Sequence, residues 1–286
     1  VKEIIMSDVP QFERLVLFWH NHFVVGFEDS YERSYAFAEH ISILRNNAKG
    51  NLKFFLLQIL KDPAMISYLN NDENYIGNAN ENFSREFLEL FTLGEGNYSE
   101  NDVKNLAKLL TGHSLNLVSQ KYKFISSAST SKSWMILGEK LNSLEQIVDF
   151  LLYHPKLSRF ISQKFYREYI SLKNPPQKSL DYMVYNLVNE NFDIISLIKS
   201  ILELPEFWNK ESKLALVKSP SDLILGLIRT IESTGIAGIN IQKILFGLKT
   251  IGQDLSNPPN VAGWQGGLTW LDGNAIETRE KVLNQL

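Results

Sequence analysis

Cysteine is absent from the 286 residues, which excludes disulfides, thiolate nucleophiles, Cys-ligated zinc and iron–sulfur clusters. Any chemistry must use oxygen and nitrogen. Long apolar runs are missing too: the longest candidates, Leu15 to Trp19 and Phe54 to Leu57, fall far short of the roughly 20 residues of a membrane span. Nor is there an excess of charge of one sign. Lys and Arg number 29 against 32 Asp and Glu, a formal net charge of −3, without the positive field that a dedicated nucleic-acid binder needs. The sequence therefore predicts no nucleic-acid partner and no membrane-spanning helix. It also holds no Gly-x-Ser-x-Gly elbow, no His-Glu-x-x-His, and no Rossmann or Walker glycine pattern.

Apolar residues make up 44% of the chain and aromatic ones 12%, ample material for a core. Surface scaling gives roughly 47,000 Å² for the unfolded chain and roughly 12,500 Å² for a compact one, so about three quarters is buried. Helix signals dominate. Phe12 to Phe23 carries a broad apolar arc, and Leu52 to Leu60 is an apolar segment between Gly50-Asn51 and Asp62-Pro63. Helix starts are read at Asp62-Pro63, at Ser219-Pro220, at Ser99 with Asp102, and at Asn142 with Glu145, where side-chain oxygens can cap free N–H groups. Three apolar helix ends run into Pro63, Pro155 and Pro205, a recurring helix–Pro–helix corner whose unequal spacing is not that of a solenoid.

One stretch breaks the pattern. Alternation at 122–125, a Ser-rich turn and Trp134 to Leu137 predict one small β-hairpin around residues 115–137. The expected fold is all-α, a multi-helix, bundle-like single domain over 1–286, with helical halves 1–113 and 141–286 joined by the hairpin region 114–140. The chain opens on Val1 inside a helix-like run, which reads as a processed or trimmed piece.

Three segments carry candidate chemistry. Between Asn80 and Gly94, a helical projection puts Phe83, Phe87, Leu88, Leu90 and Phe91 on one half, and Glu81, Asn82, Arg85 and Glu89 on the other. Glu81, Arg85 and Glu89 are spaced i, i+4, i+8, so the arginine can pair with either acid in a solvated ladder. Glu86 falls at the edge of the apolar half, where a carboxylate finds a partner or has its pKa raised, as a buried ion pair or a catalytic acid requires. From this placement, Glu86→Gln is expected to cost more stability than Glu89→Gln.

The second segment is Phe18-Trp19-His20-Asn21-His22-Phe23. On a helix His20 and His22 diverge by about 200°, so one metal does not easily take both unless the helix ends at Asn21. His22 falls in the apolar arc, while His20 lies at its boundary, near Glu13 and Val16. Either is a packing residue or a metal ligand. The third segment, Gly252 to Trp270, combines Pro258-Pro259-Asn260 with Trp264 and Trp270. It is either a loop that stacks a sugar or a peptide, or a rigid flap whose indoles plug the core.

These stretches together resemble the bacterial family catalogued as domain of unknown function 1800. The resemblance rests on Phe18 to Phe23, on Asn47-Ala48-x-Gly50-Asn51 with Asp62-Pro63-Ala64-Met65, on Asn80 to Phe83 with Glu89 to Gly94, and on Pro258-Pro259-Asn260-Val261-x-Gly263-Trp264. It implies a mostly helical, extracytoplasmic protein and no known activity. Members usually carry a further N-terminal segment. The family's usual Thr-Gly-Trp stands here as Thr111-Gly112-His113, and its His-Asp pair is replaced by Ser126 to Ser133. Any metal or relay role of that pair is lost, or falls to His113.

Two readings follow. In the first, an exported binding or scaffold protein uses Glu81, Arg85, Glu89, Asn260, Trp264 and Trp270 to hold a partner protein or an extracellular polymer. In the second, a metal-assisted hydrolase uses Glu86 and His22 as catalytic groups, with His20, His22 or His113 as metal ligands. The sequence names no cofactor.

Overall fold

The chain begins with α1 (Lys2–Met6) and α2 (Pro10–His22), then α3 (Ser34–Asn47), α4 (Leu52–Leu60) and α5 (Pro63–Tyr68). The computed structural model describes residues 1–27, 34–130, 132–232 and 240–284. Helix α6 (Asn82–Glu86) runs straight into a π-helical stretch, Phe87–Leu93, followed by α7 (Glu100–Leu109). Beyond the β region come α8 (Leu144–Tyr153), α9 (Pro155–Tyr169), α10 (Gln177–Asn189), α11 (Ile194–Glu203), α12 (Pro205–Trp208), α13 (Pro220–Glu232), α14 (Ile241–Thr250) and α15 (Gly273–Leu283).

The caps decide where these helices begin. Asp62 Oδ1 accepts from the N–H groups of Ala64 and Met65 at 2.9 and 3.4 Å, and Ser99 with Asp102 closes a reciprocal capping box at α7. Ser219 and Asp222 exchange the equivalent bonds before α13. The fourth start lies one residue later than the sequence suggested: Ser143, not Asn142, caps α8 by accepting from Gln146 N–H. Asn142 instead donates its backbone N–H to Gln146 Oε1. The three Pro corners are all present, at α4–α5, α8–α9 and α11–α12.

The β region differs from the single hairpin expected. It is two antiparallel pairs, β1 (His113–Leu115) with β2 (Tyr122–Phe124), and β3 (Trp134–Ile136) with β4 (Glu139–Leu141). Residues 122–124 pair backwards with 113–115, and the Ser-rich stretch is a connection between ladders, not a turn within one. The second hairpin turns at Leu137 and Gly138, with φ of 52° and 85°, the primed geometry that two-residue hairpins require. Leucine is a poor residue for positive φ, so the turn is invisible in the sequence; Asp102 Oδ1 holds it by accepting from Leu137 N–H at 2.6 Å.

The larger apolar cluster draws on both helical halves. Its centre is aromatic: Trp19 packs edge-on against Phe55 and Phe165 and stacks on Phe23, with its Nε1–H given to Ala48 O at 2.9 Å. A smaller cluster gathers Ile5 of α1 with Ile224, Leu225, Ile244, Leu248, Ile251 and Val282 of the C-terminal helices. Helix α2 packs against the first cluster. Between its far side and residues 216–222 and 253–270 lies a polar cleft.

Candidate functional site

Helix α2 brings both histidines into the interior, His20 at 4% exposure and His22 at 3%. The boundary position expected for His20 becomes a buried one because the C-terminal loop lies over it. Its Nε2 is 2.7 Å from Leu255 O, which makes Nε2 the protonated nitrogen and leaves Nδ1 a bare lone pair. Burial, with a contribution from His40, lowers its pKa to about 4.

His22 has both nitrogens occupied. Nε2–H donates to Phe91 O at 3.0 Å, and Nδ1 accepts from Lys164 Nζ at 2.9 Å. Lys164 also reaches Leu90 O at 3.4 Å. These carbonyls end the π-helical stretch, where chain-end C=O groups lack intrahelical partners and favour a cation. His22 and Lys164 therefore cap that helix end. Burial holds the His22 pKa well below its ordinary value, with Lys164 adding to the effect, and burial lowers Lys164 to about 8.

The π-helical winding also rearranges the charged face. Its wider turn breaks the 100° projection after Glu86, and the Glu81–Arg85–Glu89 ladder does not form as a unit. Arg85 binds Glu100 through two nitrogens at 2.7 Å each and reaches Glu81 at 3.4 Å. Glu89 accepts instead from the Tyr98 hydroxyl. Glu86 is half-buried and its carboxyl makes no hydrogen bond among the described residues; burial, then Glu89, pushes that carboxyl above the ordinary value against the pull of Arg85. It bonds neither His20 nor His22.

His113 belongs to a different place. Its Nδ1 is 2.8 Å from the Tyr122 hydroxyl, in a cleft of about 590 Å³ that also borders Lys61, Asn142 and Glu145. Desolvation lowers His113 to about 4. The structure thus does not bring His20, His22 and His113 together, and among the described residues no group of three or more His, Asp or Glu side chains is placed to hold a metal ion.

The C-terminal loop does converge on α2. Asn21 Oδ1 accepts from Trp264 N–H at 2.8 Å, and its Nδ2 donates to Trp264 O at 3.2 Å. Gly263 permits this approach: its φ is +78°, and a Cβ there would lie 2.3 Å from Asn21 Oδ1. Asn260 shapes the turn, its Oδ1 accepting from Ala262 N–H at 2.9 Å, while its side chain is exposed. Trp264 and Trp270 are buried, and the Trp264 Nε1–H has no partner among the described residues.

Both indoles line the polar cleft, which encloses about 120 Å³. Its other walls hold Asn21, Arg167, Ser221, Asp222 and Gln253, with the Arg14–Glu168 ion pair at 2.9 Å. Burial raises the Glu168 carboxyl although Arg14 opposes it. Arg14 and Arg167 were not singled out from the sequence; each sits far along the chain from the Trp motif, and no local spacing connects them, whereas Gln253 lies within the Gly252 to Trp270 segment. Another polar contact, His40 Nδ1 to Asp62 Oδ2 at 2.5 Å, is fully buried. Asp62 was legible as a cap, but a cap uses one oxygen, and the second was the signal for a partner.

Compared with known proteins, residues 1–286 are matched by one family model, described as a protein of unknown function (DUF1800). No curated protein and no solved structure matches the chain.

Proposed function

The chain belongs to the DUF1800 family, and we propose that it is a binding protein whose cleft at Trp264 and Trp270 holds a hydroxyl-rich polymer strand, such as a polysaccharide, outside the cell. The observation that carries this reading is the Trp264 Nε1–H, buried, unpartnered and beside a polar cleft. A buried donor without an acceptor is costly, and a ligand hydroxyl supplies the acceptor. The cleft adds what a sugar ring uses: indoles with an apolar body and a polar edge, and convergent carboxylate, amide and guanidinium groups from Asp222, Gln253 and Arg167. The ligating loop is fixed before binding by the Asn21 clamp on Trp264, which lowers the ordering cost of association.

The polar face of α6 contributes less to this reading, because Arg85, Glu100, Glu81, Glu89 and Tyr98 already satisfy one another. The hydrolytic alternative has an acid in Glu86 but no histidine or second carboxylate bonded to it, and Glu86 lines neither cleft.

Titrating the protein with soluble oligosaccharides of several classes, followed by tryptophan emission and calorimetry, tests the proposal. We expect a saturable response to one class, weakened about five- to tenfold in Trp264→Phe, the loss of roughly one hydrogen bond. A chain that answers to none of them, or binds equally well in Trp264→Phe and Arg167→Ala, contradicts it.

A further inference from the structure

Behind the cleft wall, α2 and α3 bring two imidazoles together that are each half used. His20 spends Nε2–H on Leu255 O, and His40 spends Nδ1 on Asp62 Oδ2. His20 Nδ1 and His40 Nε2 have no partner among the described residues, although the side chains are 4% and 0% exposed. The ring centres are 6.1 Å apart. One sealed, unpaired ring nitrogen is already unfavourable; with His40 Nδ1–H donating to Asp62, two lone pairs stand side by side, and a common occupant relieves both. The occupied nitrogens make the bonds that orient metal-binding imidazoles, one to a backbone carbonyl and one to a carboxylate.

We propose that His20 Nδ1 and His40 Nε2 hold a single copper(I) ion in two-coordinate geometry, with Asp62 as its counter-charge. The distance selects the geometry. A metal lies about 3.1 Å from an imidazole centre, being a bond of about 2.0 Å plus about 1.1 Å within the ring, so an ion on the line between two rings sets their centres about 6.2 Å apart, against about 5 Å at a tetrahedral angle. The 6.1 Å between ring centres is the spacing the linear arrangement needs when the two free nitrogens face each other.

Charge and ligand count point the same way. Asp62 is fully buried and contributes one negative charge; a monovalent ion neutralises it, whereas a divalent one leaves a net positive charge in a low-dielectric interior. Zinc sites take three or four protein ligands, and no third His, Asp or Glu among the described residues joins this pair. His20 lines the polar cleft, which gives the ion a route from solvent. His22, two residues away, has both nitrogens bonded and takes no part.

Anaerobic titration of the whole chain with copper(I) against a chromophoric competitor, with X-ray absorption on the loaded protein, tests this. We expect one equivalent per chain in a shell of two nitrogens and no sulfur. Affinity should fall by at least about 100-fold in His20→Gln and His40→Gln, fall about 10-fold in Asp62→Asn, which keeps the helix cap, and stay unchanged in His113→Gln. No stoichiometric binding, a sulfur-containing shell, tighter binding of zinc than of copper(I), or equal affinity in His20→Gln overturns the proposal. Should His40→Gln fail to fold, the wild-type absorption spectrum and His20→Gln still decide.

Discussion

The two sides of α2 differ in how completely their buried polar groups are used. On the His22 side, the imidazole and Lys164 close the end of the π-helical stretch, and neither ring nitrogen is left over. On the His20 side, packed against the C-terminal loop, three buried polar atoms stand without partners: His20 Nδ1, His40 Nε2 and Trp264 Nε1. Burial alone therefore does not separate structural from working residues in this protein, because both histidines are equally hidden. For these two histidines, the degree of satisfaction does. A core that only needs to be stable fills its hydrogen-bond inventory, and the side that leaves it open also borders a cleft.

The largest expected effect sharpens this contrast. His22→Ala opens a cavity in the aromatic core and strands Phe91 O and Lys164, so we expect a loss of about 3–4 kcal/mol in denaturant unfolding. His20→Ala, whose space joins an existing cleft, should cost at least about 1 kcal/mol less. Equal losses would break the distinction.

Acid comes next. Both histidines have folded-state pKa values below the unfolded value of about 6.5, with His20 at about 4. The unfolded chain therefore binds more protons in that window, and stability falls as pH drops from about 6.5 towards 4, by up to about 3 kcal/mol from His20 alone. Lys164, lowered to about 8, adds an effect of the same sign at higher pH. Its unfolded form keeps the proton up to about pH 10.5, so stability rises with pH between about 8 and 10.5. Thermal melts of wild type and Lys164→Met across both windows check this, and the alkaline rise should vanish in the variant.

Gly263→Ala is expected to cost about 2 kcal/mol, since the new methyl meets Asn21 Oδ1 at a positive φ. It should also weaken any ligand of the cleft, while leaving the His22 side undisturbed by NMR shifts. The smallest effect reverses an expectation from the sequence. Glu89→Gln loses the carboxylate that accepts from Tyr98 and should cost up to about 1 kcal/mol. Glu86→Gln removes an unpartnered, partly desolvated charge and should be neutral or slightly stabilising. Melting curves for the pair, run at pH 7, give the order.

The fold was legible where local rules decide it. Asp62-Pro63, Ser99 with Asp102 and Ser219-Pro220 sit where the caps are observed, and Leu52–Leu60 is a helix with those same ends. It failed where a tertiary contact overrides a local preference. Asp102 holds Leu137 in a conformation that leucine avoids, which creates a second hairpin, and the π-helical winding after Glu86 disrupts a projection built on 3.6 residues per turn. The site divides the same way. Trp264, Trp270 and His20 were visible as unusual residues, and they do meet at one cleft. Their partners were not: His40 lies within an ordinary helix, and Lys164 sits on the apolar face of α9, three and four residues beyond Ile161 and Phe160, with no motif around it.

Long-range proton–nitrogen NMR of the five histidines, recorded before and after one equivalent of silver(I) as an air-stable stand-in for copper(I), tests the contrast most directly. The expected spectrum shows His20 and His22 as neutral imidazoles protonated at Nε2. Added metal should then move His20 Nδ1 and His40 Nε2, leaving both nitrogens of His22 in place. Unmoved His20 and His40 signals, or a shift at His22, would contradict the account.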